Sequence, residues 1–131
     1  SSSLNANNIN AFFFYADPSG TPLRDSRAQR ATADYSLYHD LDGYIFTFLN
    51  AGQNDPDESR ARIRLRRCPG FELLQETFDY HCQPGQTYHI TITRRGGKLS
   101  MPIDSQVFIR TTDPTPHRSG IFGLRTYHTD L

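Results

Sequence analysis

From residue 87 to residue 94 the chain reads Thr-Tyr-His-Ile-Thr-Ile-Thr-Arg, with Tyr88, Ile90 and Ile92 at one parity and His89, Thr91 and Thr93 at the other. Successive side chains of a β-strand point to opposite faces, so this alternation predicts a strand with one apolar and one polar face. The same period of two returns at Tyr44-Ile-Phe-Thr-Phe-Leu49 and at Arg60-Ala-Arg-Ile-Arg-Leu-Arg66. Residues 9–15 are apolar almost without interruption, as in a strand buried on both faces. Further strands are expected over residues 71–80, with an irregular middle, and over residues 98–103, 106–111 and 120–126.

Turn signals separate these runs: Asp17-Pro18-Ser19-Gly20, Pro69-Gly70, Pro84-Gly85, Gly96-Gly97 and Asp104-Ser105. Residues 24–33 and 34–43 read as loops, the first with room for one helical turn. Pro102 lies inside a predicted strand and removes a ladder donor, which places it at an edge or a bulge. No segment is long enough for a crossover helix. The fold class is therefore all-β, an antiparallel sandwich over residues 1–131 as one domain, or as a fragment of a larger sandwich.

Charge narrows the function. Lys and Arg number 14, as do Asp and Glu, and a neutral chain is a poor general nucleic-acid binder. No apolar run approaches the roughly 18 residues of a membrane span. Residues 1–10 lack the basic and apolar regions of a signal peptide, although an earlier removal would leave none to see. The two cysteines, Cys68 and Cys82, are too few for a disulfide framework. They permit one bridge in an exported protein and fit no metal-site spacing. Nothing in the chain calls for a cofactor. Calcium is the one metal considered, at Asp104, Asp113 or within Asn54-Asp55-Pro56-Asp57-Glu58, where the spacing of a known calcium loop is missing.

Several segments in order carry a family likeness: Asp34-Tyr35, Tyr38-His39, Tyr44-Ile45-Phe46-Thr47-Phe48, Arg64, Arg67-Cys-Pro-Gly-Phe71, the run from Tyr88 to Ser100, Asp104, Asp113-Pro114, and Gly120-Ile-Phe-Gly-Leu-Arg125 continuing to Leu131. In this order and spacing, over nearly the whole chain, they resemble the YesU-like family of the concanavalin A-like lectin/glucanase superfamily. Two positions depart from that pattern: Asp104-Ser105 stands where the family has Asp-Gly, and Met101-Pro102 where it has an aromatic. The resemblance implies a jelly-roll sandwich associated with the breakdown of acidic polysaccharides. Such sandwiches run to roughly 200 residues, so the chain is expected to be incomplete at both ends. A secreted or periplasmic location is favoured over a cytoplasmic one.

The residues themselves offer three constellations. Arg60, Arg62, Arg64 and Arg66 would line one stripe of a strand at about 6.5–7 Å intervals, with Arg67 on the other face beside Ala61, Ile63 and Leu65. Guanidinium forks match carboxylate or sulfate groups, and the stripe is a candidate substrate-binding surface for an acidic glycan. The alternative is a solvated face paired with Glu72, Glu76 and Asp79, and by sequence alone it weighs more. A loop with Tyr35, Tyr38, His39 and Asp40 would form the lip of a cleft, with Tyr38 binding substrate and His39 catalytic. Arg125 and Tyr127, with His128 and His89 as further substrate contacts, could supply the cation, acid and base of an elimination at a uronate. Packing at the core edge is the competing reading of that set.

A hydrolase would need two carboxylates about 5–10 Å apart. The only glutamates are Glu58, Glu72 and Glu76, and Glu72 and Glu76 would share a strand face, but they form no glucanase motif. The expected function is therefore recognition of an acidic oligo- or polysaccharide, with cleavage of the polysaccharide lyase or glycoside hydrolase type if the domain is catalytic. The alternatives are a non-catalytic carbohydrate-binding module and a structural part of a larger glycan-degrading enzyme. The oligomeric state is left open.

Overall fold

A computed structural model describes residues 8–49, 61–78, 80 and 85–127. Its strands are β1 (Asn8–Ala16), β2 (Asp42–Leu49), β3 (Arg62–Cys68), β4 (Glu72–Phe78), β5 (Thr93–Arg95), β6 (Lys98–Ile103), β7 (Gln106–Thr112) and β8 (Ile121–Tyr127). They form a five-stranded sheet in the order β4-β3-β2-β1-β8 and a three-stranded sheet in the order β5-β6-β7. Every ladder is antiparallel. The all-β sandwich expected from the period of two is the observed architecture.

The sandwich core lies between the sheets. Tyr44, Phe46, Ile63 and Leu65 of the larger sheet pack with Leu99, Met101, Ile103 and Ile109 of the smaller one. Each such side chain contributes about 1.5–3 kcal/mol when fully buried. The smaller sheet reaches β3 and β4 through β7. Beyond its reach, Phe122 and Leu124 on β8 remain 57% and 65% exposed.

The opposite, outer face of the larger sheet has a second cluster of Phe12, Tyr15, Leu41, Ile45 and Cys68. It is covered by the excursion between β1 and β2, which holds two short 3-10 helices, Arg27–Arg30 and Tyr35–Tyr38. Two covered faces explain why β1 and β2 are apolar at both parities.

Bulges reassign faces that strict alternation would fix. In β1 the register against β2 slips by one after Phe13, with Phe14 in the left-handed region at φ 54°. Phe14 joins the inner core and Tyr15 the outer one. Gly43 faces this bulge with φ 143°, and a Cβ there would collide with the Tyr15 ring. In β4 a second slip falls between Leu73 and Gln75. As a result Glu76 lies opposite Arg64 and Glu72 opposite Arg67, on opposite faces of the sheet. The expectation that the two glutamates share a face is therefore corrected, and with it goes any carboxylate pair on that strand.

The strand expected over residues 87–94 is reduced to β5, Thr93–Arg95, plus an isolated bridge between Ile90 and Ile103. The register nonetheless runs through: His89 O accepts from Asp104 N at 2.9 Å and Thr91 N donates to Pro102 O at 3.0 Å. Pro102 has no N–H to return the second bond to Thr91, and the ladder breaks there. Met101-Pro102 sits at a bulge against β7, in the middle strand rather than at an edge. Asp104 and Ser105 turn the β6–β7 hairpin with φ 46° and 73°, the mirror-image turn that matches strand twist.

Candidate functional site

Cross-strand partners share a face, so the ladders define what stands together on the outer face of the larger sheet. Arg64 is opposite Thr47, Thr47 opposite Asn10, and Asn10 opposite Arg125. This row runs across four strands, a span of about 14 Å from β3 to β8. The neighbouring row contains Arg66, Ile45, Phe12 and Gly123, and the row on the other side places Arg62 opposite Leu49. The expected stripe of Arg62, Arg64 and Arg66 exists, and Arg125 joins its face from the far edge. Arg60 and His128 lie outside the described residues. Tyr127 continues β8 opposite Asn8; its side chain is also outside the description.

Among the described residues, Glu76 is the carboxylate of this face. Its Oε1 accepts from Arg64 Nε at 2.6 Å and lies 3.9 Å from Arg62 Nη1. Of the three partners expected for the arginines, Glu76 serves, Glu72 is on the other face, and Asp79 is outside the described residues. Arg66 instead lies 4.1 Å from the centroid of the Phe71 ring and makes no ion pair among the described residues. Burial, and then the charge of Arg64, lower its pKa. The face is therefore strongly cationic.

The 3-10 helix Tyr35–Tyr38 carries an aromatic wall over this floor. Arg125 stands 5.1 Å over the Tyr35 ring, and the Tyr35 hydroxyl donates to Asn10 Oδ1 at 3.5 Å. Burial raises the Tyr35 pKa. His39 stacks on Phe71 at 3.8 Å between centroids and meets Tyr35 edge-on. Burial, followed by the charge of Arg66, pushes the His39 pKa down, so the imidazole is held neutral. Its Nε2 is buried and has no hydrogen-bond partner. Tyr38 leans on Phe12 at 5.3 Å, and its carbonyl accepts from Tyr15.

Asn10 is the residue that sequence reasoning missed. It is fully buried, its Oδ1 accepts from Thr47 Oγ1 at 2.7 Å, and its Nδ2 lacks a partner. An Asn inside an apolar strand is the signal that could have found it, since a buried amide needs partners. Phe71 likewise entered the sequence reading only at the start of a strand and within Arg67-Cys-Pro-Gly-Phe71, not as part of a site.

Other expected contacts stand apart from this face. His89 is exposed beside the β6–β7 hairpin, with its N–H on Asp104 Oδ1; it belongs to the smaller sheet's side of the sandwich. Arg67 turns inward to Asp113, at 2.8 Å, and to the Thr115 carbonyl. Among the described residues no group of three His, Cys, Asp or Glu side chains is placed to hold a metal. Asp113 is engaged by Tyr44, Arg67 and Thr115, and Asp104 by the backbone of His89. Residues 54–58 are outside the description. Cys68 is buried, which raises its pKa; Cys82 lies outside the described residues.

The family model described as "Domain of unknown function (DUF6250)" matches residues 4–131. The chain belongs to this family. No curated protein and no solved structure matches it.

Proposed function

We propose that this DUF6250 domain recognises an acidic oligo- or polysaccharide on the outer face of its larger sheet. The observation that carries the reading is the set of Arg62, Arg64, Arg66 and Arg125 on one face with Glu76 as its carboxylate counterpart. Guanidinium groups spaced along and across a sheet can engage successive carboxylates or sulfates of a chain. The adjoining Tyr35, His39 and Phe71 rings offer flat apolar surface for sugar rings. The resemblance to YesU-like concanavalin A-like sandwiches supports the same reading.

His39 favours a second reading, cleavage by elimination. A neutral imidazole with an unpartnered nitrogen beside Arg66 has the properties of a base. It would take the proton next to a uronate carboxylate that Arg66 neutralises. The electron pair forms the new double bond, the glycosidic carbon–oxygen bond breaks, and the departing oxygen takes a proton from an acid such as Tyr35.

A glycan array, followed by titration calorimetry of hits at rising salt, tests recognition. Salt-sensitive binding of uronic or sulfated glycans is expected, and its absence overturns the proposal. Ultraviolet absorbance of an unsaturated uronate product in the same samples separates the readings: a rise identifies a lyase, and binding without it identifies a binding module.

A further inference from the structure

Cross-strand pairing sets Thr93, Ser100 and Arg110 in one row of the smaller sheet, and Arg95, Lys98 and Thr112 in the next. Both rows face outward, because Leu99, Met101 and Ile109, at the other parity, are buried in the core between the sheets. These six residues line a concavity of about 490 Å³, a volume in the range of small-molecule sites.

The charge of this face is unbalanced. Arg95 stands directly opposite Lys98, and Arg110 is diagonal to Lys98 on the other side. Like charges opposite one another in a ladder repel. Among the described residues, none of the three makes an ion pair and no carboxylate lines the concavity. Asp113 follows Thr112 but turns inward: it is 3% exposed, and its oxygens are taken by Tyr44, Arg67 and Thr115. Between the cations, Thr93 Oγ1 and Ser100 Oγ lie 2.6 Å apart. Such a pair uses one hydroxyl proton internally and leaves the other to donate outward. The Gly96-Gly97 turn that carries Arg95 and Lys98 is anchored, since Gly97 O accepts from Asp113 N at 2.8 Å.

We infer that this face binds a dianionic phosphate group, either the head of a small polar monoester or the free ion, held by Arg95, Lys98 and Arg110 over the Thr93–Ser100 hydroxyls. Near neutral pH a phosphate monoester carries close to two charges and three terminal oxygens. That is the complement of three cations with hydroxyl donors between them. A carboxylate, with one charge and two oxygens, leaves a cation unanswered. Among the described residues the lining holds no aromatic ring, which suits a polar body over a flat apolar one. The inference does not rest on the oligosaccharide reading, whose residues stand on the larger sheet, on the opposite side of the sandwich.

The test is calorimetry of the full chain at neutral pH with glucose 6-phosphate, glucose 6-sulfate, inorganic phosphate and glucose, with amide NMR to place the contact. Glucose 6-phosphate should bind saturably, with shifts centred on Thr93, Ser100 and Arg110. Glucose 6-sulfate, with one charge fewer, should bind about tenfold more weakly, and glucose not at all. Inorganic phosphate binding as tightly as the ester assigns the site to the free ion; weaker binding assigns it to the monoester. Lys98→Ala and Arg110→Ala, both at exposed positions, should each weaken glucose 6-phosphate about tenfold without lowering the melting temperature. Arg24→Ala removes an exposed cation elsewhere and should leave binding unchanged. Absence of saturation by either phosphate, equal affinity for phosphate and sulfate esters, an equal loss in Arg24→Ala, undiminished binding to Lys98→Ala and Arg110→Ala, or shifts confined to the larger sheet would each overturn the inference.

Discussion

The hydroxyl of Tyr44 donates a 2.6 Å hydrogen bond to Oδ2 of Asp113, a residue 69 positions further along the chain. The same oxygen accepts from Arg67 Nε at 2.8 Å. The Tyr44 hydroxyl in turn accepts from His117 N, and His117 Nε2 donates to the Cys68 carbonyl. This knot ties the loop after β7 to β2 and β3 and so joins the two sheets. Burial, and then the bond to Asp113, raise the Tyr44 pKa to about 12.

Tyr44→Phe should cost about 1–3 kcal/mol, because it strips partners from Asp113 and from the His117 amide. Urea denaturation checks it. Burial acts to raise the Asp113 pKa, but hydrogen bonds from Tyr44, Thr115 and Arg67 outweigh it and the net shift is downward. A depressed carboxyl contributes stability above its unfolded pKa of about 3.9 and loses it as pH falls through the lower folded value. Asp113→Asn should therefore be less stable than the parent at neutral pH and show a shallower decline in acid.

Glu76 restrains two of the arginines of the proposed glycan face. Glu76→Gln should tighten binding of an acidic oligosaccharide several-fold by removing a repelling charge. Arg66→Ala should weaken binding about 10- to 100-fold, the scale of a lost charge-assisted contact. Arg66 makes no ion pair among the described residues, so the stability cost of the same change should be that of its stacking on Phe71, about 0.5–1 kcal/mol. Calorimetry and thermal melts on both variants read the two effects separately.

His39 should titrate below the ordinary histidine value of about 6.5, as burial and then Arg66 dictate. The neutral ring is favoured in the folded chain. Stability linked to His39 is thus complete above the unfolded pKa and declines as pH falls toward the folded one. Arg66→Ala should move the midpoint up without restoring it fully, since burial is the larger cause. NMR of the imidazole protons follows the midpoint directly.

Pro102→Thr should extend the pairing of β5 along β6 by supplying the missing donor to Thr91. Hydrogen exchange should show a newly protected amide at position 102. The net stability change should stay under about 1 kcal/mol, since one hydrogen bond gained is offset by a freer unfolded chain.

Alternation along the sequence was enough to place Arg62, Arg64 and Arg66 on one face and Arg67 with Ile63 and Leu65 on the other, because side-chain direction in a strand is a local property of the backbone. It also carried the all-β class, the two-sided burial of β1 and the Asp104-Ser105 turn. Local pattern failed where an extra residue or a proline intervened. The bulge in β4 parted Glu72 from Glu76, and Pro102 cut short the strand whose alternation was clearest.

Tertiary structure alone decided what shares the arginine face. Arg125 reaches it through the pairing of β8 with β1, and Tyr35 and His39 through the folding back of an excursion with no strand period of its own. Those placements depend on which distant strands pair and which apolar clusters the loop covers. Both are set by the summed burial of Phe12, Tyr15, Leu41 and Ile45, a property of the assembled sheet that no single segment contains.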